Sequence, residues 1–341
     1  MMLNNMKSLC SDILARHSVM SPQTLAAKYA ELAEIVLSRE IMELPYAVRN
    51  EPFLTSSKIK DFERCEFCYS KRYMEMATDR TVGEKDYFVI GQAVDDYLTL
   101  GAPYFSQKYV VMDSRINDLD EAIEGQELKI VQAQADVKKD GERGATGIKT
   151  EAKAIERIAL LKMLTEKTQI TATMYDLILS AITEYANTEM FNKQPRKRVF
   201  FHVFGGFLIK VELDDYVKET NVINDIKTTA NALTACEMNF PEMYSHQAAL
   251  YEWIVEENVL ATPTVRLLAV DKNPNFSRSL GWEYLHDTLM PVRGRMIGTI
   301  ARMRTAHDTG YFPSPADQKL MYSCPYYGIE GHGRPTSFLI Y

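Results

Sequence analysis

The chain changes texture at Arg198, and that change restricts the folds open to it. Beyond it, Val199 to Val203 and Phe207 to Tyr216 are rich in β-branched and aromatic residues, and Gly205-Gly206 between them signals a hairpin. Val222 to Ile226 reads as a third strand. Phe240 to Glu256 reads as a helix with Tyr244, Ala248, Tyr251 and Val255 on one face. Thr264 to Val270 and Leu280 to Leu285 are two further strands, and Met290 to Met303 is a closing helix. A helical half followed by strands with one inserted helix predicts an α/β fold with a central mixed sheet flanked by helices.

The half before Arg198 is helical. Residues 1–50 form a helical leader, in which Ser21-Pro22 sets an N-cap before Pro at the first helical position. Leu25, Tyr29, Leu32, Ala33 and Val36 then recur at helical spacing. A second start stands at Thr55-Ser56-Ser57, followed by Ile59, Phe62 and Phe67, and Tyr87 to Leu100 forms a further helix. Residues 113–155 are charged, contain Gly141, Gly144 and Gly147, and read as a mobile helix–loop insertion. Helical period returns over 152–190 through Ile155, Ile158, Leu161, Met174, Leu177 and Ala181. The expected organisation is a leader over 1–50 and one domain over 51–341, with a helical insertion at about 113–190.

Composition excludes several classes. With 46% apolar and 25% charged residues the chain is not generally disordered. No apolar run is long enough to span a bilayer. Met1 to Met20 is interrupted by Asn4, Asn5, Lys7, Asp12 and Arg16, so no secretory core forms. Five cysteines in 341 residues do not suggest a disulfide scaffold, and a reducing, cytoplasmic compartment is expected.

The net charge of −7 does not indicate a strongly basic nucleic-acid binder. Two stretches nevertheless carry bases and no acid. Asn192 to Val211 holds Lys193, Arg196, Lys197, Arg198 and Lys210, and Thr288 to His307 holds Arg293, Arg295, Arg302 and Arg304. Such patches are more often solvated faces than polyanion sites. Lys193, Arg196, Lys197 and Arg198 precede the hairpin and are the candidates for tracking phosphates.

The segment with chemistry in it runs from Lys210 to Tyr216 and on to Asn224-Asp225-Ile226-Lys227. Strand side chains alternate, so Lys210, Glu212 and Asp214 share a face, as do Asp225 and Lys227, while Asp215 points the opposite way. Two adjacent strands then bring Asp214, Asp225 and Lys227 to one sheet end. Paired carboxylates repel unless a cation neutralises them, and hard oxygen donors favour Mg²⁺ or Mn²⁺. A neighbouring lysine can hold the attacking water, which is the arrangement for metal-assisted phosphodiester hydrolysis. Asp-x-Lys alone is commonplace; its companions give it weight.

Four segments, in this order, resemble the PD-(D/E)XK nuclease superfamily, and within it the RecB-like and RecE-type exonucleases (exonuclease VIII and phage relatives). They are Ser57-x-Ile59-x-x-Phe62-x-x-Cys65 continuing to Tyr69 and Tyr73, then Gly91-x-x-x-Asp95-x-x-Leu98, then Leu213-Asp214 with Asp225-Ile226-Lys227-Thr228-Thr229, and Gln247-x-x-x-Tyr251. Glu66 stands where a proline is usual, and Asp95 stands where the family has His. The strand Val265 to Val270 running into Asp271-Lys272-Asn273-Pro274 is similar to the RecE-type segment that follows.

The resemblance implies a restriction-endonuclease-like core over about residues 55–315. By it, Asp214, Asp225, the backbone carbonyl of Ile226 and Asp95 hold Mg²⁺ or Mn²⁺, with Asp95 rather than Asp96 facing the metal and Asp96→Ala expected to be mild. Lys227 positions or activates the nucleophile, and Gln247 and Tyr251 border the site and contact DNA. It also implies an exonuclease acting on double-stranded DNA ends in recombination or repair, a ring-shaped homo-oligomer and a single-strand annealing protein as partner. The alternatives are a small RecB-like nuclease of CRISPR adaptation or repair, and a catalytically weak DNA-binding protein with the nuclease fold. Cys65, Cys68, Cys236 and Cys324 lack the C-terminal triplet of the iron–sulfur members, so no cluster is expected and Cys65-x-x-Cys68 reads as buried thiols. Without a Walker motif, no ATP motor is expected in the chain.

Overall fold

The computed structural model describes residues 1–44, 46–74, 86–112, 119–135, 145–165, 167–187, 197–229, 232, 240–272 and 279–313. In chain order the helices are α1 (Met2–Arg16), α2 (Pro22–Val36), α3 (Arg39–Met42), α4 (Tyr46–Arg49), α5 (Ser56–Arg64), α6 (Glu66–Tyr69) and α7 (Asp86–Lys108), the last kinked at Gly101, φ 85°. Strand β1 (Tyr109–Val111), helices α8 (Leu119–Ala135) and α9 (Ala145–Thr165), strand β2 (Thr168–Ile170) and α10 (Ala172–Asn187) follow. Then come β3 (Arg198–Phe204), β4 (Phe207–Leu213), β5 (Asp215–Val217) and β6 (Val222–Thr229). Helix α11 (Phe240–Val259), strands β7 (Thr264–Asp271) and β8 (Ser279–Tyr284) and helix α12 (His286–Thr309) follow, and short 3-10 and π segments stand at His17–Val19 and Ser70–Met74.

Strands β5-β6-β7-β8 form the mixed sheet. β6 runs parallel to β7, and the outer pairs are antiparallel. Helix α11 lies between the two parallel strands in sequence, the crossover such a pair requires. The hairpin β3–β4 turns at Gly205 (φ 58°) and Gly206 (φ 78°), two left-handed positions in a row that side chains with a Cβ resist.

One strand expected over Phe207 to Tyr216 is two. It bends at Asp214, where Leu213 still pairs with Arg198 of β3 while Asp215 pairs with Asn224 of β6. The Asp214 carboxylate accepts the Ile226 N–H at 2.8 Å, and this side-chain bond takes the place of a strand partner at the bend. The helical reading of 152–190 is also interrupted. β-branched Thr168, Ile170 and Thr171 leave the helix, and β2 pairs in parallel with β1. Helix α12 starts at His286, earlier than Met290, because the Leu285 carbonyl accepts both the N–H (2.9 Å) and the hydroxyl (2.7 Å) of Thr288.

Three cores hold these layers. Ile59 and Phe62 of α5, Leu213, Ile223 and Val265 from the strands, Ile254 of α11 and Ile300 of α12 bury together on one face of the sheet. Ile90 and Val94 of α7, Ile178 of α10, and Leu268 and Val270 of β7 bury on the other. The leader packs Met6, Ile13 and Leu32 onto Val199, Phe201 and Leu208 of the hairpin, so residues 1–50 share a core with the strands. Ser21 caps α2 by accepting the Thr24 N–H at 3.1 Å, with Pro22 at the first helical position. The loop expected around Gly141 and Gly144 lies outside the described residues. Among the described residues, no helix is long and apolar enough to cross a membrane.

Candidate functional site

Alternation along β6 decides which side chains meet. Ile223 faces the core under α11 and Ile226 packs toward α7 and α10, so Asp225 and Lys227 project on the α11 side. Lys227 Nζ lies 2.8 Å from Asp225. Gln247 of α11 donates from Nε2 to Asp225 at 3.3 Å and also to the Tyr251 hydroxyl one turn on. The Tyr251 hydroxyl in turn donates to the Glu212 carbonyl at 3.0 Å, tying α11 to β4. Asp214, at the bend, lies close enough to Asp225 for the two charges to repel. Neighbouring carboxylates repel unless positive charge offsets them, as Lys227 does here in part.

A second charged network adjoins the first. Lys197 Nζ sits 2.5 Å from Asp95 of α7 and 3.4 Å from Glu212. Lys210 lies 3.1 Å and Arg49 3.8 Å from the same Glu212 carboxylate. Arg49 is placed by an anchored loop: the buried Lys58 ammonium donates to the carbonyls of Asn50 (2.9 Å), Glu51 (2.9 Å) and Phe53 (2.8 Å). Four acids (Asp95, Glu212, Asp214, Asp225) thus face four bases (Arg49, Lys197, Lys210, Lys227).

The electrostatics separate the acids into two kinds. Burial pushes Asp214 up to about 6, with Asp225's charge adding to the rise and Lys227 opposing it. Burial also raises Asp95 to about 6, with Asp214 adding and Lys197 opposing. Asp225 is raised by burial and by Asp95's charge against the pull of Lys227. Glu212 behaves oppositely: burial disfavours its charge, yet Lys210, Lys197 and Arg49 together hold it down at about 2. Lys227 keeps its proton, because Asp225 and Asp214 outweigh the burial that would strip it.

Two clefts meet at Asp95 and Asp214. One, of about 280 Å³, is lined by Arg49, Lys60, Lys197, Lys210, Ser56 and Ser57. The other, of about 700 Å³, is lined by Tyr87, Val89, Leu98, Tyr109, Lys227 and Tyr244. A basic, hydroxyl-bearing trough and an aromatic trough therefore share one acidic divide.

A family model described as a PDDEXK-like domain of unknown function (DUF3799) matches residues 55–281. The chain belongs to that family. The match runs from Thr55, before α5, to Gly281 in β8, and so takes in Asp95, Asp214, Asp225, Lys227, Gln247 and Tyr251. A solved structure described as a "Putative exonuclease" from Eubacterium rectale is similar at 15% identity and a TM-score of 0.45, over 84% of this chain and 93% of that one. No curated protein matches the chain in sequence.

The PDDEXK-like domain brings together most of the residues singled out in the sequence: Asp214, Asp225, Ile226, Lys227, Gln247 and Tyr251 meet, and Asp95 reaches them from α7. Lys197 is corrected. Its ammonium is buried between Asp95 and Glu212, not offered to phosphates along a surface. Arg198 is exposed at the start of β3, and Lys193 and Arg196 lie outside the described residues. Asp96 is buried and accepts hydrogen bonds from Gln92, Lys108 and the Tyr109 hydroxyl, so its replacement bears on stability. The arginines of α12 are largely spent on acids, Arg293 on Glu256, Arg302 on Glu66 and Arg304 on Asp308.

Among the cysteines, Cys65 is a buried thiol that caps α6, while Cys68 is disulfide-bonded and so not the free thiol expected. Cys236 and Cys324 lie outside the described residues. Arg49 went unnoticed in the sequence, since nothing local marks it. Lys210 and Glu212 carried a signal in sharing the Asp214 face of the strand.

Proposed function

We propose that this PDDEXK-like domain is a divalent-metal-dependent deoxyribonuclease that hydrolyses phosphodiester bonds at double-stranded DNA ends, serving recombination or repair in the cytoplasm. The observation that carries the reading is the buried Asp225 carboxylate held by Lys227 at 2.8 Å and Gln247 at 3.3 Å, with Asp214 beside it on the Ile226 N–H, at the junction of the two clefts.

The donors suit a hard cation. All are oxygens, and Asp95, Asp214 and Asp225 each raise another's pKa by repulsion, which a dication would relieve. Among the described residues no three acids, imidazoles or thiolates already stand as a metal cage, and Lys197 lies 2.5 Å from Asp95. Asp214, Asp225, the Ile226 carbonyl and Asp95 would hold Mg²⁺ or Mn²⁺. When bound, the ion supplies a lowered water pKa and charge that offsets the phosphate in the transition state.

The chain's own residues do the rest. Lys227, kept protonated, steadies the nucleophile and the charge building on the phosphate oxygens. Gln247 fixes the Asp225 carboxylate, and Tyr251 holds Gln247 against β4. In the first cleft Lys60 and the Ser56 and Ser57 hydroxyls, not the acid-paired Arg49, Lys197 and Lys210, meet the anionic backbone, and the aromatic cleft takes the sugar–base side of the strand.

The reading is tested with linear, nicked and covalently closed DNA in Mg²⁺. Loss of linear duplex with the closed circle intact is expected. Equal cutting of closed circles would replace the exonuclease by an endonuclease, and binding without cutting would leave a DNA-binding protein.

A further inference from the structure

Helices α8 and α9 pack chiefly on each other. Their shared seam consists of Ile123, Ile130 and buried Ala133 on α8, with buried Ala154, Ile158 and buried Leu161 on α9. Gln134 Nε2 donates to Glu151 at 2.7 Å, joining the end of α8 to the start of α9 as an antiparallel pair requires. That accounts for one stripe on each helix.

A second stripe is left over. On α9, Ile148, Ala152, Ile155, Ala159 and Met163 follow one another at steps of three or four, and all are exposed. On α8, Leu128 and Val131 line the side away from the seam. Leu128, Val131, Ile148, Ile155 and Met163 are each more than half exposed. Single exposed apolar residues need no explanation; a continuous helical stripe does.

Charge says what covers it. On α8 the exposed acids Glu121, Glu124 and Glu127 outnumber the exposed base Lys129, whereas on α9 the exposed bases Lys149, Lys153, Arg157 and Lys162 outnumber the acids Glu151 and Glu156. A surface that is acidic along one helix and basic along its neighbour is complementary to itself when turned by a two-fold rotation. We propose that the α8–α9 hairpin is a dimerisation element. The α9 stripe of one copy packs on the Leu128–Val131 side of α8 in a second copy, and the reciprocal contact closes a four-helix bundle. Glu124 and Glu127 then flank Lys149 and Lys153 of the partner copy's hairpin. The element lies apart from the acidic site, so the inference stands whether or not the nuclease reading does.

Sedimentation of the full chain over a concentration series tests it. A dimer is expected, and Ile155→Glu, at a position already open to water, shifts it to monomer with an unchanged far-UV circular dichroism spectrum. Glu124→Lys with Glu127→Lys weakens the dimer about tenfold or more, as does Lys149→Glu with Lys153→Glu. Combining all four substitutions restores it, which a merely disrupted fold would not do. A monomer at every concentration, a dimer indifferent to Ile155→Glu, or no rescue by the fourfold exchange would each overturn the proposal.

Discussion

The two faces of α7 carry adjacent aspartates with opposite fates. Asp96 is 1% exposed and fully engaged: it accepts from Gln92 at 3.0 Å, Lys108 at 2.7 Å and the Tyr109 hydroxyl at 2.7 Å. Asp95, about 100° around the helix, has Lys197 on one side and on the other the charge of Asp214. Donors saturate the first carboxylate, which fastens α7 to β1. The second is pushed up to about 6 by burial and by its acidic neighbour. A carboxylate whose oxygens are all matched by donors is structural; one held against other carboxylates is reserved for something positive.

The largest expected effect is on the side of the unmatched acids. Asp225→Asn and Lys227→Ala should each lower DNA hydrolysis by on the order of 10²–10³ or more while the fold survives. Near-normal degradation by either variant would erase the distinction between the two faces.

Exchanging the faces sharpens it. Asp96→Ala should cost about 2–3 kcal/mol of stability, because Lys108 and Tyr109 lose a buried charged acceptor. Its rate per folded molecule should stay close to wild type. Asp95→Ala should do the reverse, with little loss of stability and strongly weakened metal dependence, and Asp95→His should keep partial activity. Denaturant titration beside rate measurement separates the two outcomes, and an inactive but stable Asp96→Ala would move the site to the other face.

Acidity offers a third test. Asp95 and Asp214 have folded pKa values raised to about 6, above the unfolded value of roughly 3.9. Their protonated forms therefore add stability that is complete below about pH 4 and lost as pH rises through 6. The metal-free protein should lose melting temperature across that window, and added Mg²⁺ should restore it increasingly above pH 6. Asp214→Asn should flatten both trends, and a wild-type protein already insensitive to pH would contradict the assigned repulsion.

The smallest effect separates two neighbouring bases. Arg198→Ala should reduce the log–log salt slope of duplex binding by roughly 0.9 if it meets a phosphate. Lys197→Ala should leave that slope alone and alter metal affinity through Asp95.

Much of this arrangement was legible because it is periodic or local. Ser21-Pro22, the Gly205-Gly206 turn and the i, i+4 pair Gln247–Tyr251 each act over a few residues. The alternation that separates Asp225 and Lys227 from Ile226 is equally local. What escaped depends on distant partners. The bend at Asp214 exists because its carboxylate takes an N–H twelve residues on. Lys197 reads as part of a basic run, but its ammonium is spent on Asp95, 102 positions away. Strand β2 is three residues long and is defined by β1, with two helices between them.

The central claim is that the Asp214–Asp225 pair with Lys227 forms a hydrolytic centre. The most direct measurement is the rate of nucleotide release from an end-labelled linear duplex, titrated with Mg²⁺, for the wild type and Asp214→Asn at matched folded concentration. The account predicts no release without the ion, saturable release by the wild type, and a loss on the order of 10²–10³ in the variant that added Mg²⁺ does not recover. Equal rates for the two proteins, or release undiminished by a chelator, would contradict it.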